Sequence, residues 1–207
     1  MDKREIISSS MENMLMIYKD VGEIAKAIEQ RMTSLGYKAY GDAAIAWETS
    51  TAWYGCESWL NRWFARSYYK EGALRQVVGY CIHLGGYLPE RIERFQQCGL
   101  KMPVLIISSL DLEKDIKEIY RLTLYDILWD AGWKDEQKVD KKITRSNITK
   151  GNVSVEASSV AVDLLEIKGK EDIENVVIKN LIALYEKESI DISNPKLLPI
   201  VQQMGER

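Results

Sequence analysis

The chain has 207 residues, of which 46% are hydrophobic and 29% charged, a composition typical of a folded globular protein and far from that of disordered chains. Twenty-eight basic and thirty-one acidic residues give a net charge of −3, which offers no general attraction to nucleic acid or to an anionic membrane. Apolar runs such as 103–110 are far shorter than the roughly 20 residues of a membrane helix, so we expect no membrane contact.

The cysteines and the first residues indicate a compartment. Cys56, Cys81 and Cys98 are odd in number and lack paired spacing, and residues 1–10 contain no apolar run of signal-peptide length. Disulfides are rare in reducing compartments. We therefore expect a cytoplasmic protein with free thiols.

The first predicted element is a helix, because apolar residues recur over 14–35 at steps of three and four. Ser9 and Glu12 have the spacing of a capping box at its start, and Gly36 can end it. The run 43–49 predicts a strand.

The stretch 47–80 holds nine of the nineteen aromatic residues. Within it, 59–69 fits both a helical stripe and one face of a strand. Because a tight turn at 70–72 separates it from an alternating run at 74–84, we favour a β-hairpin, with a short helix at 59–63 as the alternative.

Further along, Pro89 and Gly99 bracket a short predicted helix over 89–95. The run 103–109 is apolar on both faces, which predicts a central strand covered on both sides. A long helix is predicted over 112–131, with Asp111 as its cap and Gly132 at its end.

The charged stretch 134–142 is a connector and the one plausible internal boundary. Three short strands are predicted beyond it at 143–148, 153–156 and 160–167, followed by a helix over 171–187. This order predicts an α+β fold with a mixed, largely antiparallel sheet and helices packed on it. We expect one domain over 1–190 and an extended C-terminal tail over 191–207.

The aromatic stretch provides the predicted binding residues, in which rings alternate with arginines. They are Trp59, Arg62, Trp63, Arg66, Tyr68 and Tyr69. Such residues dominate protein interfaces and also stack on single-stranded nucleic acid, although most of the rings could equally belong to the core. A protein partner, or a second copy, is preferred because Glu57 and Glu71 offset the local positive charge.

The sharpest catalytic candidate is the apolar run 160–167, which carries Asp163 and Glu166 and is followed by Lys168. An apolar strand ending in acid-x-lysine resembles the metal-binding strand of the PD-(D/E)xK nuclease superfamily. The resemblance implies that the carboxylates hold magnesium or manganese and that the lysine steadies the nucleophile. The other interpretation is the solvated end of an edge strand.

Other chemistries have little support. Cys81 and His83 share one strand face, but same-face neighbours lie about 6 to 7 Å apart, too far for a nucleophile and its base. We therefore expect a buried structural pair. Zinc spacing and phosphate-binding glycine motifs are absent from the sequence. The sequence predicts a non-enzymatic binding protein without cofactor, with a metal-dependent nuclease or a single-stranded nucleic-acid binder as alternatives.

Overall fold

A computed structural model describes residues 2–41, 63–85, 98, 100, 103–132, 138–140 and 142–199. Within these ranges there are three helices: α1 (Lys3–Ser34), α2 (Arg121–Asp130) and α3, a continuous helical run of Lys170–Asp172, Ile173–Ile178 and Lys179–Glu186. The eight strands of the same ranges are β1 (Lys38–Ala39), β2 (Trp63–Tyr69), β3 (Gln76–His83), β4 (Val104–Leu112), β5 (Lys138–Asp140), β6 (Ile143–Lys150), β7 (Val153–Asp163) and β8 (Leu197–Leu198).

The described strands form one sheet in the order β1-β2-β3-β4-β7-β6-β5, with β8 paired to β7. Each of these pairings is antiparallel. β4 pairs with β7 along its whole length, from Val104 opposite Asp163 to Leu112 opposite Val155. The parts of the chain before and after the charged connector therefore share one sheet, and the predicted α+β class is confirmed.

The helices cover both faces of this sheet. On one face, Ile28 and Met32 of α1 and Leu181 of α3 pack with strand residues such as Tyr80 and Ile107. On the other face, side chains of α2 pack against β3, β4 and β7. Because β4 lies in the middle and is covered from both sides, its apolar residues are buried on both faces, as predicted.

Helix α2 lies close to the sheet because the row beneath it is small. Gly79, Ser108 and Ser159 stand side by side on three neighbouring strands, and the two serine hydroxyls are 2.8 Å apart. A Cβ atom at Gly79 would lie 3.1 Å from both methyl groups of Leu128. Just past the end of α2, Gly132 has φ +87 and approaches Ile106.

Several predicted elements are confirmed. The hairpin pairs Trp63 with His83 and Tyr69 with Val77, and the helix predicted over 171–187 is α3. The tail pairs through β8 with Ala161 and Val162 of β7. The strand predicted over 43–49, the helix over 89–95 and residues 59–62 of the alternative helix lie outside the described residues.

Two helix predictions were wrong in their bounds. α1 begins at Lys3, because Asp2 and Glu5 form the capping box expected of Ser9 and Glu12. The helix predicted over 112–131 is shortened to α2. Its first part continues β4, which pairs through Leu112 with Val155, and then forms a 3-10 turn, Ile116–Glu118, that Asp115 caps in place of Asp111. Strand pairing with β7 outweighs the helical periodicity here.

The strand predictions beyond the connector also need correction. The predicted strands 153–156 and 160–167 are parts of one strand, β7. Ser158 and Ser159 do not interrupt it, because the Ser159 hydroxyl is hydrogen-bonded to that of Ser108 on β4. β7 ends at Asp163, and Leu164–Glu166 forms a 3-10 turn. Residues 138–140 of the connector form β5, which pairs with β6.

One irregularity in α3 lies beside a buried side-chain hydrogen bond. Residues Ile173–Ile178 are π-helical, so their hydrogen bonds reach one residue further than in an α-helix. The buried Asn180 side chain donates to the carbonyl of Val176 at 2.6 Å. This bond satisfies a carbonyl group inside the altered turn.

Candidate interaction surface

Helix α1 is longer than the sheet that it covers. Its buried residues are Val21, Ala25, Ile28 and Met32, all in its second half. Residues 3–20, called the overhang below, are exposed except for the half-buried Met14 and Tyr18. At 1.5 Å per residue, the overhang is about 27 Å long.

The overhang keeps the apolar face of the buried half. Ile7, Met14, Val21 and Ile28 follow one another at intervals of seven residues, which is two helical turns, so they lie on one face of α1. Six large apolar side chains of the overhang are between 43% and 64% exposed: Ile6, Ile7, Met11, Leu15, Met16 and Ile17. A surface of this kind marks an interaction site.

A cleft of about 1010 Å³ opens beside the last turns of the overhang. One wall is formed by α1, with Met14, Ile17 and Ile24, and the other by the turn after β7, with Leu164, Leu165 and Ile167. Leu84 and Pro103, from the ends of β3 and β4, also line it. Leu165 is itself 62% exposed, so apolar surface continues from the overhang across the cleft.

The charges of the overhang are balanced. The overhang carries Lys3, Arg4 and Lys19 as cations and Glu5, Glu12 and Asp20 as anions. It therefore presents no cationic field of the kind that attracts a polyanion. Its apolar side chains are the feature that a partner would recognise.

Two of the predicted binding residues, Arg66 and Tyr68, point towards α1 and are buried. Arg66 holds Glu29 in two hydrogen bonds of 3.0 Å each, from Nε to Oε2 and from Nη2 to Oε1, and the Tyr68 hydroxyl donates to Oε2 at 3.0 Å. These hydrogen bonds hold the pKa of Glu29 below its usual 4.5 against the effect of burial, with the largest contribution from Arg66. The cluster fastens α1 to β2.

The neighbouring residues, Trp63 and Tyr69, point to the opposite face of the sheet. Trp63 is buried against Trp129 of α2, with ring centroids 5.1 Å apart, and the half-buried Tyr69 packs edge-on against Tyr40. The four described residues of the predicted set therefore form no common exposed face. Trp59 and Arg62 lie outside the described residues, and binding by the whole set stays a prediction.

Cys81 and His83 are completely buried on the α2 face, as expected for a structural pair. Burial raises the pKa of the Cys81 thiol and lowers the pKa of His83 to about 3. Both groups are thus held neutral, the reverse of a thiolate paired with an imidazolium. The His83 ring packs against Trp129 with the ring centroids 4.4 Å apart and the rings tilted by 49°.

The residues of the predicted nuclease strand take structural positions. The Asp163 side chain accepts from the Leu165 amide at 3.0 Å and so caps the turn in which Glu166 lies. Lys168 donates from Nζ to the Leu165 carbonyl and lines the cleft. Glu166 is therefore not on a strand. In the described ranges, no three His, Cys, Asp or Glu side chains gather as metal ligands.

Known proteins offer no guide to this surface. No protein family, no curated protein and no solved structure matches the chain. Of the helices that the structure describes, none has the combination of length and apolar character needed to span a bilayer.

The apolar stripe of α1 can be recognised in the sequence, but its exposure along the overhang cannot. Met14 and Ile17 repeat with Val21 and Ile28, and this repeat predicts only that the segment is helical. Periodicity shows which side of a helix is apolar, but it does not show where the covering sheet ends. The available signal was the cluster of apolar residues at 14–17, which spreads beyond a single stripe.

Proposed function

We propose that the chain is a non-enzymatic binding protein and that the overhang of α1, with the adjoining cleft, is the surface that binds a protein partner. The observation that carries this proposal is the exposure of six large apolar side chains on the overhang. The overhang belongs to a capped helix, and one of its faces continues the apolar face that the second half of α1 buries on the sheet. Burying the exposed half of each side chain would contribute on the order of 1 kcal/mol.

The balanced charge of the overhang supports a protein over nucleic acid as the partner. The cytoplasm is the proposed compartment, supported by the odd number and unpaired spacing of the three cysteines in the sequence. No observation on the described residues favours a magnesium- or manganese-dependent nuclease or a single-stranded nucleic-acid binder, so both stay predictions.

The test is affinity capture of bound protein from the protein's own cell extract, with Leu15→Glu as the variant. Leu15 is 64% exposed, so the substitution leaves the core intact while it places a charge on the proposed surface. The matched control is Leu122→Glu on α2, where the leucine is 47% exposed. Loss of the bound protein in the first variant alone is expected, and equal binding by both would contradict the proposal.

A further inference from the structure

The cleft beside α1 is long and has an apolar base. Its α1 wall runs from Met14 to Gln30, and at 1.5 Å per residue this wall is about 24 Å long. The base is formed by buried apolar side chains, Val21, Leu164 and Ile173. Small-molecule sites in proteins are typically about 300 to 1,000 Å³ in volume. With about 1010 Å³, the cleft has room for a ligand with an elongated apolar part.

The charged groups at the rim differ between the two walls. The α1 wall carries two anions and one cation, Asp20, Glu23 and Lys26. On the far wall, the charged side chains that line the cleft are Lys168 and Lys170, which are both cations. An anionic group on a ligand is therefore attracted to the far wall and repelled by the two carboxylates of the α1 wall.

Both cations of the far wall can bind an anion. Lys168 donates from Nζ to the Leu165 carbonyl, and because an ammonium group has three N–H donors, two remain for a ligand. Lys170 is exposed at the first position of α3. A carboxylate placed between the two would receive charge-assisted hydrogen bonds from both.

The start of α3 strengthens the positive potential of this wall. Gly169 is its N-cap and provides no side-chain hydrogen bond to the first turn, whose amide groups carry the positive end of the helix dipole. Two acids lie in the same turn. Asp172 is bound by the side chain of Lys196 and by the Lys168 amide, and Glu171 does not line the cleft.

The cationic wall lies at one end of the cleft. Arg31 of α1 and Glu174 of α3 form an ion pair of 2.9 Å, which fixes where the two helices meet. Lys170 is about one helical turn before Glu174, so it lies near the Gln30 end of the α1 wall. The opposite end, at Met14, is apolar. A ligand with one anionic head and one apolar tail matches this polarity.

The lining favours an aliphatic chain over an extended peptide. Its uncharged polar side chains are Tyr18 and Gln30. An extended peptide would bring an N–H and a C=O group at every residue, and most of these would stay unpaired against the apolar base, which is unfavourable. An aliphatic chain has no polar groups to satisfy, and its burial is favourable along its whole length.

We propose that the cleft binds a long-chain fatty acid, with its carboxylate at Lys168 and Lys170 and its chain along α1 towards Met14. This inference goes beyond the proposed function, which concerns a protein partner. Met11 and Leu15 are exposed and do not line the cleft, so they stay available to that partner when the cleft is filled.

The experiment measures equilibrium dialysis of the full chain with radiolabelled laurate and with 1-dodecanol, which has the same chain length and no charge. One laurate should bind per chain, about tenfold more tightly than 1-dodecanol. The double variant Lys168→Gln/Lys170→Gln should lose this preference and keep its affinity for 1-dodecanol, because it removes the cations and leaves the apolar walls intact. The matched control is Lys117→Gln/Lys179→Gln, two exposed lysines outside the cleft.

A second variant tests the apolar part of the cleft. Leu165 lines the cleft and is 62% exposed, so Leu165→Glu leaves the core intact while it places a carboxylate beside the bound chain. Binding of both ligands should weaken at least about tenfold. The control is Leu122→Glu, in which a leucine of similar exposure on α2 is changed and binding should be unaltered.

Absence of laurate binding by the wild type, or a preference for laurate that persists in the Lys168→Gln/Lys170→Gln variant, would overturn the inference. An equal loss of binding in Leu165→Glu and Leu122→Glu would also overturn it. Leu15→Glu separates the two proposals, because Leu15 does not line the cleft. This variant should bind laurate like the wild type whether or not it loses the captured protein, so either proposal can fail alone.

Discussion

Ile7 and Val21 lie on the same face of α1, about four helical turns apart. Val21 is buried on the sheet, whereas Ile7 is 64% exposed. The helix therefore continues a core-facing surface past the end of the core. A helix usually gains most of its stability from packing its apolar face. The exposed half of α1 has this face available for a partner.

The ion pair between Arg66 and Glu29 should contribute measurably to stability. Arg66→Met leaves a carboxylate beside Tyr68 without its cation, and we expect a loss of about 2 kcal/mol in the free energy of unfolding, less than for a fully buried pair because Glu29 is partly exposed. Urea denaturation at pH 7 measures it. Arg31→Met, which breaks the exposed pair with Glu174, should cost less than about 1 kcal/mol.

The cost of Arg66→Met should also depend on pH. Since the folded-state pKa of Glu29 lies below 4.5, the stabilisation is present above that value and is lost as the pH falls through the folded pKa. Urea curves recorded below pH 4.5 should therefore show a smaller difference between variant and wild type. A difference that grows in acid would contradict the assigned pair.

His83 should make the protein sensitive to acid at a higher pH. The pKa of His83 is about 3 in the folded protein and 6.5 ordinarily. Between these pH values His83 is protonated in the unfolded chain and neutral in the native state. The free energy of unfolding should fall by up to about 1.4 kcal/mol for each pH unit below 6.5. His83→Phe should flatten this slope in urea titrations, and an unchanged slope would show that other groups cause it.

Substitutions at two glycines with positive φ can distinguish the cost of backbone strain from the cost of steric crowding. At Gly132, φ is +87 and a Cβ atom would lie 2.8 Å from Ile106, whereas at Gly151, φ is +59 and nothing lies within 4 Å. Gly151→Ala should cost about 1 to 2 kcal/mol for strain alone. Gly132→Ala should cost about 1 to 3 kcal/mol more, because it also overpacks the contact between α2 and the sheet. Equal decreases in the thermal unfolding temperature of Gly132→Ala and Gly151→Ala would contradict the close approach of Gly132 to Ile106.

Much of the sheet could be predicted because its strands carry local signals. The alternation in 74–84 and the doubly apolar run 103–109 correctly predicted β3 and the central position of β4. The predicted helix over 112–131 failed at its start because Leu112 is paired with Val155, 43 positions later, a contact that local periodicity does not report. The same long-range pairing explains why Ser158 and Ser159 continue a strand instead of interrupting it.

The candidate site could be predicted only in part. Arg66 and Tyr68 were correctly placed on one strand face, but the sequence did not show that Glu29, 37 residues earlier, meets this face and holds Arg66 in the interior. The exposure of the overhang could not be predicted for a related reason. Where the sheet beneath α1 ends depends on the tertiary structure, which local sequence patterns do not report. Exposure of Ile7 and Leu15 can be recognised only after the strands beneath α1 have been placed.

The most direct test of the central claim is amide hydrogen exchange along α1, measured for the chain alone and with the captured protein present at saturation. The account predicts that protection rises over residues 6–17 and stays unchanged at 63–69. Protection that rises at 63–69 while residues 6–17 remain as fast as before would contradict it.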